Sequence, residues 1–236
     1  MKSIVTGGAG FIGSHLVEDL VKNNHKVIVI DNFKIGTKNN LKSVRKKIKI
    51  INCDIRKFKK ISKYFKGVDN VYHLAALADI VPSIENPTEY YSTNVTGTLN
   101  VLKASIQNNV KRFIYSASSS CYGIPKKYPT KETSEIDPQY PYALTKRLGE
   151  ELVLHFAKVY KLNATSLRFF NVYGPRARTS GTYGAVFGVF LAQKLANKPF
   201  TIVGNGKQTR DFTYVTDIVD AILGVNKSKN LSGEIL

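Results

Sequence analysis

Short apolar runs alternate with longer stretches in which apolar residues recur every three or four positions. The runs fall at residues 2–6, 26–30, 48–51, 70–73, 112–116 and 164–169, and the second carries the unbroken Val/Ile segment 27–30, as a strand covered on both faces should. The stretches between them predict helices over 11–23, 40–45, 61–65, 87–108 and 140–160. Pro87 stands in the first turn of the fourth of these, where its missing N–H is harmless. Alternation of this kind joins parallel strands through crossover helices, so the expected fold class is α/β, a doubly wound parallel sheet. After Phe170 the rhythm changes. Gly174-Pro175-Arg176 reads as a loop, 185–197 as a helix, 201–203 as a short strand and Gly204-Asn205-Gly206 as a turn. A strand over 211–215 follows, with Thr216 as the cap of a helix beginning at Asp217. Residues 1–170 thus read as the sheet domain, to which the chain returns at about 209–236, and 171–208 as part of a smaller lobe. Residues 232–236 fall inside an apparent strand, so truncation is expected, with a small lobe short of its closing wall.

Composition narrows the classes without choosing among them. At 236 residues the chain is long enough for a sizeable core. No apolar run approaches the roughly 20 residues of a membrane span, and the apolar stretch at the N-terminus is too short for a secretory signal. Cys53 and Cys121 lie far apart with no C-x-x-C spacing, which argues against a disulfide framework and against a zinc site. A cytoplasmic protein without membrane partners is the default. The formal net charge is +18, and residues 34–66 hold 13 Lys or Arg against one acid, Asp54. Most are Lys without alternating aromatics, so a solvated basic face is preferred over a nucleic-acid surface or steering of an anionic substrate.

The first strand runs into Thr6-Gly7-Gly8-Ala9-Gly10-Phe11-Ile12-Gly13, followed by a helix. Its glycines fit G-x-x-G-x-x-G (Gly7, Gly10, Gly13) and G-x-G-x-x-G (Gly8, Gly10, Gly13). A sharp turn, close approach of a pyrophosphate to backbone, and tight helix–strand packing all require glycine there. The helix N-terminus then offers free N–H groups to the phosphates. Asp31, 18 residues past Gly13, ends the second strand where a carboxylate binds ribose hydroxyls. It would repel a 2′-phosphate, favouring NAD over NADP; Lys34 works the other way. Asp54 is placed to bond the adenine amino group, with Ile55 against the ring; its alternative is a helix N-cap. In His73-Leu74-Ala75-Ala76 the small residues leave room for a cofactor, and His73 reads as a buried, hydrogen-bonded histidine.

Tyr142-Ala143-Leu144-Thr145-Lys146 is a Y-x-x-x-K on a predicted helix, which puts Tyr142 and Lys146 on one face. A neighbouring ammonium and a cationic nicotinamide would stabilise the phenolate and make Tyr142 a usable base. Ser118, at the end of the fifth strand, adds a hydroxyl at the edge where doubly wound folds bind ligands. Together these groups describe hydride transfer between an alcohol and NAD.

With those motifs in order, the chain resembles the NAD-dependent nucleotide-sugar epimerase/dehydratase family of extended short-chain dehydrogenases/reductases. Thr93-Asn94, the segment from Leu167 to Arg176 and Gln208-Thr209-Arg210-Asp211-Phe212 extend the likeness over essentially the whole chain. The resemblance implies a Rossmann domain, held NAD, a nucleotide-diphosphate sugar as substrate, and a homodimer through the helices at 87–108 and 140–160. It implies catalytic roles for Ser118, Tyr142 and Lys146. Around NAD it places Gly7, Gly10, Phe11, Ile12, Gly13, Asp31, Asn32, Asp54, Ile55, Leu74, Ala75, Ala76, Thr93, Tyr142 and Lys146, with Phe170 bordering the nicotinamide. Ser118, Asn171 and Arg210 would bind substrate, the last two at its diphosphate, with Thr201 and Val203 flanking its base. The alternative for Arg210 is an ion pair with Asp211 or Asp217. Family dehydratases carry an Asp-Glu pair directly after the catalytic hydroxyl, and decarboxylases a Glu at the second position; here these are Ser119 and Ser120. Epimerisation at C4 of a UDP-sugar is therefore favoured. A 4,6-dehydratase with displaced acid/base groups and a non-catalytic NAD-binding regulator are the alternatives.

Overall fold

Along β1 (Lys2–Thr6) and β2 (Lys26–Asp31) successive side chains point to opposite faces, and both faces are apolar. Ile4, Ile28 and Ile30 pack with Phe65, Val101 and Val153, whereas Val5, Val27 and Val29 pack with Leu16, Leu20, Ile218 and Ile222. Strands built this way need helices on both sides. In the computed structural model, which describes residues 1–177, 186–202, 204–228 and 230–236, that is the arrangement. β1, β2, β3 (Ile48–Asn52), β4 (Asn70–His73), β5 (Arg112–Ser118) and β6 (Ala164–Phe169) form one parallel sheet in the order β3-β2-β1-β4-β5-β6. The helices are α1 (Phe11–Lys22), α2 (Phe58–Ile61), α3 (Ile80–Glu85), α4 (Pro87–Tyr91), α5 (Gly97–Gln107), α6 (Pro141–Tyr160), α7 (Val186–Leu195) and α8 (Val215–Lys227). Of these, α1 and α8 cover one face and α2, α5 and α6 the other. Strand order reverses between β1 and β4, which opens the crevice where folds of this Rossmann class bind ligands. A separate parallel pair joins β7 (Asn171–Tyr173) to β8 (Phe212–Tyr214).

The six sheet strands lie where the apolar runs put them, with β5 continuing to Ser118. The helices differ more. The expected helix over 87–108 is α4, a wide π turn at Ser92–Thr96, and α5. The wide turn carries the Asn94 side chain inward, where it accepts from Leu77 N–H at 2.8 Å and donates to Leu77 O and Thr145 Oγ1 at 3.0 Å each. Residues 40–45 lie in a tighter 3-10 run, Lys38–Lys47, opened by Thr37 and anchored by Leu41 and Val44. At 61–65, α2 gives way to a 3-10 turn at Ser62–Tyr64. No strand forms at 201–202, because Thr201 bonds the side chain of Gln193 at 2.7 and 3.1 Å instead of a partner strand. Position 203 lies outside the described residues, as does 185, ahead of α7. α8 starts at Val215 and not at Asp217: buried Val215 pulls the first turn directly onto β8, so Thr216 is inside the helix and Tyr214 precedes it.

Arg168 N–H donates to Leu236 O at 2.7 Å and Leu236 N–H to Ser166 O at 2.9 Å, so the last residues run beside β6. His73 is buried, as expected. Thr98 donates its hydroxyl to Asn94 O at 2.6 Å, so His73 Nε2–H donates to Thr98 Oγ1 at 2.8 Å and Nδ1 accepts from Thr6 Oγ1 at 2.6 Å. Burial, with Lys146 adding to it, holds this imidazole neutral with a pKa near 3. Among the described residues no helix is long and apolar enough to cross a membrane.

A buried ion pair ties β6 to α6. Arg168 meets Glu150 at 2.8 and 3.0 Å, and its other arm reaches Tyr122 OH at 2.7 Å and Glu132 O at 2.9 Å. Arg168→Met leaves the Glu150 carboxylate short of its main partner and is expected to cost about 3–5 kcal/mol in urea unfolding. Lys126→Ala, which breaks the exposed Lys126–Glu135 pair, should leave the unfolding midpoint nearly unchanged. Equal effects of the two substitutions would contradict this ranking.

Candidate active site

The loop between β1 and α1 is built for close approach. Gly7 has φ +69°, and a Cβ there would lie 2.7 Å from Ala75 N. A Cβ on Gly13 would lie 2.3 Å from Gly7 O, so the start of α1 packs directly on the strand ends. Gly10 precedes α1 and has no side chain to cap it, which leaves the first-turn N–H groups to an external acceptor. Beside this loop a cavity of about 460 Å³ runs along the C-terminal edge of the sheet.

Every residue expected to hold a dinucleotide lines that cavity. Asp31, Asn32, Asp54 and Ile55 lie at the β2–β3 end. Gly7, Gly10, Phe11, Ile12, Gly13, Leu74, Ala75, Ala76 and Thr93 lie between, and Tyr142, Lys146 and Phe170 at the β5–β6 end. The glycine cradle, the uncapped helix and the carboxylate that ends β2 fit an extended ligand with a pyrophosphate at its middle. Asp31 is fixed by two N–H groups, from Ala9 at 2.9 Å and Phe33 at 2.8 Å, while burial pushes its carboxyl up. Asp54 does not cap α2, whose first residue follows Lys57. It accepts from Arg56 backbone N–H at 2.8 Å and guanidinium at 2.7–3.1 Å, and from Asn32 at 3.2 Å. Burial alone would raise the Asp54 carboxyl, but these donors outweigh it and bring the pKa to about 2. Arg56 and Glu89 also face this end and escaped the sequence reading. Asn86-Pro87-Thr88-Glu89 looks like a helix start, and Asn86 does accept from Glu89 N–H at 3.3 Å, which hides the second role of Glu89.

At the other end β5 presents Ser118, and consecutive turns of α6 present Tyr142 and Lys146. Tyr142 OH donates to Ser118 Oγ at 3.2 Å. Ser118 Oγ is 2.8 Å from Ser120 Oγ and accepts from Ser120 N–H at 3.2 Å. Lys146 Nζ donates to Ser116 O and lies 4.4 Å from the Tyr115 ring centroid. Burial lowers its pKa to about 7, with Glu150 pulling the other way. The phenol of Tyr142 is pushed up by desolvation, which the Ser118 hydrogen bond offsets only in part. The sequence suggested that Lys146 brings this phenol down; here the ammonium is spent on the Ser116 carbonyl and the Tyr115 ring.

The substrate-side residues are not gathered in the same way, and Asn171, Thr201 and Arg210 lie outside the cavity lining. Asn171 Nδ2 donates to Asp211 O at 2.9 Å, and Arg210 Nη1 to Thr209 O at 2.7 Å. Among the described residues no ion pair joins Arg210 to Asp211 or Asp217. Val203 lies outside those residues.

Residues 3–235 match the model of the NAD dependent epimerase/dehydratase family. A UDP-N-acetylglucosamine 4-epimerase from Methanobrevibacter ruminantium M1, solved with UDP-N-acetylmuramic acid, superposes with a TM-score of 0.93 at 37% identity, over 100% of this chain and 75% of that one. A UDP-glucuronic acid 4-epimerase from Bacillus cereus, solved with UDP-glucuronic acid and NAD, gives 0.92 at 36% identity, over 100% and 76%. A UDP-N-acetyl-alpha-D-glucosaminuronate decarboxylase of Bacillus cytotoxicus is 36% identical over 244 residues, 100% of this chain and 74% of the relative.

The buried lysine has a measurable signature. Between pH 7 and about 10.5 the unfolded chain keeps a proton that folded Lys146 has released, so stability rises with pH across that window. The full gain is on the order of a few kcal/mol. Urea unfolding of the protein and of Lys146→Met at pH 6.5, 8 and 9.5 should show the difference between them moving in favour of the lysine as pH rises. A difference that stays flat would place the ammonium in water.

Proposed function

The chain belongs to the NAD dependent epimerase/dehydratase family, and from that premise we propose that it inverts C4 of a UDP-sugar through a transient 4-keto sugar. The observation that carries this reading is the Tyr142–Ser118 hydrogen bond in the cavity lined by the cofactor residues, with serines and no carboxylate at the next two positions. NAD is the cofactor, and when bound it takes a hydride from the sugar and gives it back.

The chain's own groups handle the proton and the orientation. Tyr142 takes the proton of the C4 hydroxyl, and Ser118 holds that oxygen, its own hydroxyl aligned by Ser120. Lys146 titrates near neutral pH, which suits it to hold or release a proton as Tyr142 changes state. Neither Ser119 nor Ser120 is a competent acid or base at neutral pH, which weighs against elimination of water. Residues 171–208 are read as part of the sugar lobe. Asn171 and Arg210 are the proposed diphosphate ligands; the bond from Asn171, at the start of β7, to Asp211 O ties it to the residue that follows Arg210. Thr201 and Val203 are the proposed neighbours of the base. A homodimer through α4, α5 and α6 is also proposed, supported by exposed Tyr91, Leu99 and Leu144 on those helices.

Nucleotide-sugar profiling by NMR tests the reaction, with neutral, N-acetylated and uronic UDP-sugars because a decarboxylase stands among the relatives. Interconversion of one C4 epimer pair is expected. Tyr142→Phe should slow it by roughly 10² to 10⁴ with NAD affinity retained. Release of CO₂, or a product that has lost its C6 hydroxyl, would assign a different reaction; near-normal turnover of Tyr142→Phe would remove that residue from the base position.

A further inference from the structure

We propose that Glu89 sets the choice between NAD and NADP, by holding the Lys34 ammonium that would otherwise receive a 2′-phosphate. The inference rests on the dinucleotide reading of the cavity and deepens it. Asp31 is the obvious discriminator, yet each of its oxygens already accepts a backbone N–H, from Ala9 and from Phe33. Much of its charge is committed to holding the loop.

Two cations, Lys34 and Arg56, line the same end of the cavity as Asp31. Arg56 is neutralised within its own turn by Asp54. Lys34 has no carboxylate partner in its own segment. Its ion pair is with Glu89, from α4 on the other side of the cavity mouth.

The backbone under Lys34 is held in place. Phe33 has φ +58°, and Lys34 N–H donates to Asn32 Oδ1 at 3.0 Å. A Cβ on Gly36 would lie 2.7 Å from the Ala9 carbonyl carbon. Thr37 N–H and Asn40 Nδ2 donate to Ala9 O at 3.0 and 2.9 Å. The turn that carries Lys34 is thus clamped to the glycine loop, which keeps the Lys34 backbone at the cavity mouth and the ammonium within reach of it.

Charge then decides the preference. With Glu89 the group of Asp31, Asp54, Glu89, Lys34 and Arg56 is net negative, which suits a ribose hydroxyl and repels a phosphate. Without Glu89 the group is neutral and Lys34 is free to meet the 2′-phosphate through a charge-assisted hydrogen bond. The Lys34–Glu89 pair is half exposed, with side chains 47% and 27% accessible, so the effect is moderate and weakens with salt.

Isothermal titration of NAD and NADP against the protein, Glu89→Gln and Glu89→Gln/Lys34→Gln tests this. Glu89→Gln should shift the affinity ratio toward NADP by roughly 3- to 10-fold at low salt. The shift should shrink at physiological salt, and the double substitution should return the ratio close to its starting value. An unchanged ratio in Glu89→Gln would overturn the proposal. So would a shift that persists in the double variant, since the lost Glu89 charge alone would then explain it. If the unsubstituted protein bound neither dinucleotide, the cavity reading itself would fall, a distinct outcome.

Discussion

Glu150 is buried with both carboxylate oxygens engaged, by Arg168, by Ser166 Oγ at 2.9 Å and by Arg147. Its position on α6 follows from helical spacing: Tyr142, Lys146 and Glu150 repeat every four residues and form one stripe against β5 and β6. Arg168 carries the constraint onward, since its second arm holds Tyr122 in the turn that begins just after Ser118. One buried pair therefore fixes, relative to each other, the strand end that offers Ser118 and the helix that offers Tyr142 and Lys146. It also supplies the counter-charge that lets an ammonium exist so far from water; without it, burial would press Lys146 further toward its neutral form.

The two ends of the cavity use charge in opposite ways. At the β2–β3 end each cation is paired with a carboxylate, Arg56 with Asp54 and Lys34 with Glu89. Pairing fixes local charge, which is what selective binding needs. At the β5–β6 end Lys146 meets a carbonyl and an aromatic face in place of a carboxylate. Burial there lowers its pKa to about 7. The glycine loop between the ends carries neither sign and works through shape and free N–H groups.

The sheet was legible because most of its strands are buried on both faces, so apolar runs such as Val27–Ile30 and Phe113–Tyr115 stand out against polar helices. The glycine loop was legible for a similar reason: no other residue fits where a Cβ would meet backbone at 2.3–2.9 Å. What escaped were features made by partners distant in sequence. The wide turn in the 87–108 helix comes with Asn94 reaching Leu77 and Thr145, and nothing in the local pattern announces it. The state of Lys146 depends on which groups receive its ammonium, and helical spacing alone pointed to Tyr142 when the partners are Ser116 and Tyr115. Residues 201–202 failed as a strand because β-branched residues next to a turn mimic one, while Gln193, eight positions before Thr201, satisfies the Thr201 backbone. The roles given to Asn171, Arg210, Thr201 and Val203 came from resemblance alone, and Asn171, Arg210 and Thr201 lie outside the cavity lining.

The central claim is that the hydrogen leaving C4 of the sugar returns to C4 on the other face, without visiting solvent. A UDP-sugar labelled with deuterium at C4, incubated with the protein in ordinary water and followed by NMR, tests it directly. The account predicts the C4 epimer with its deuterium still at C4. Epimer that has exchanged this label with water would contradict it, as would label that appears at another carbon of the sugar.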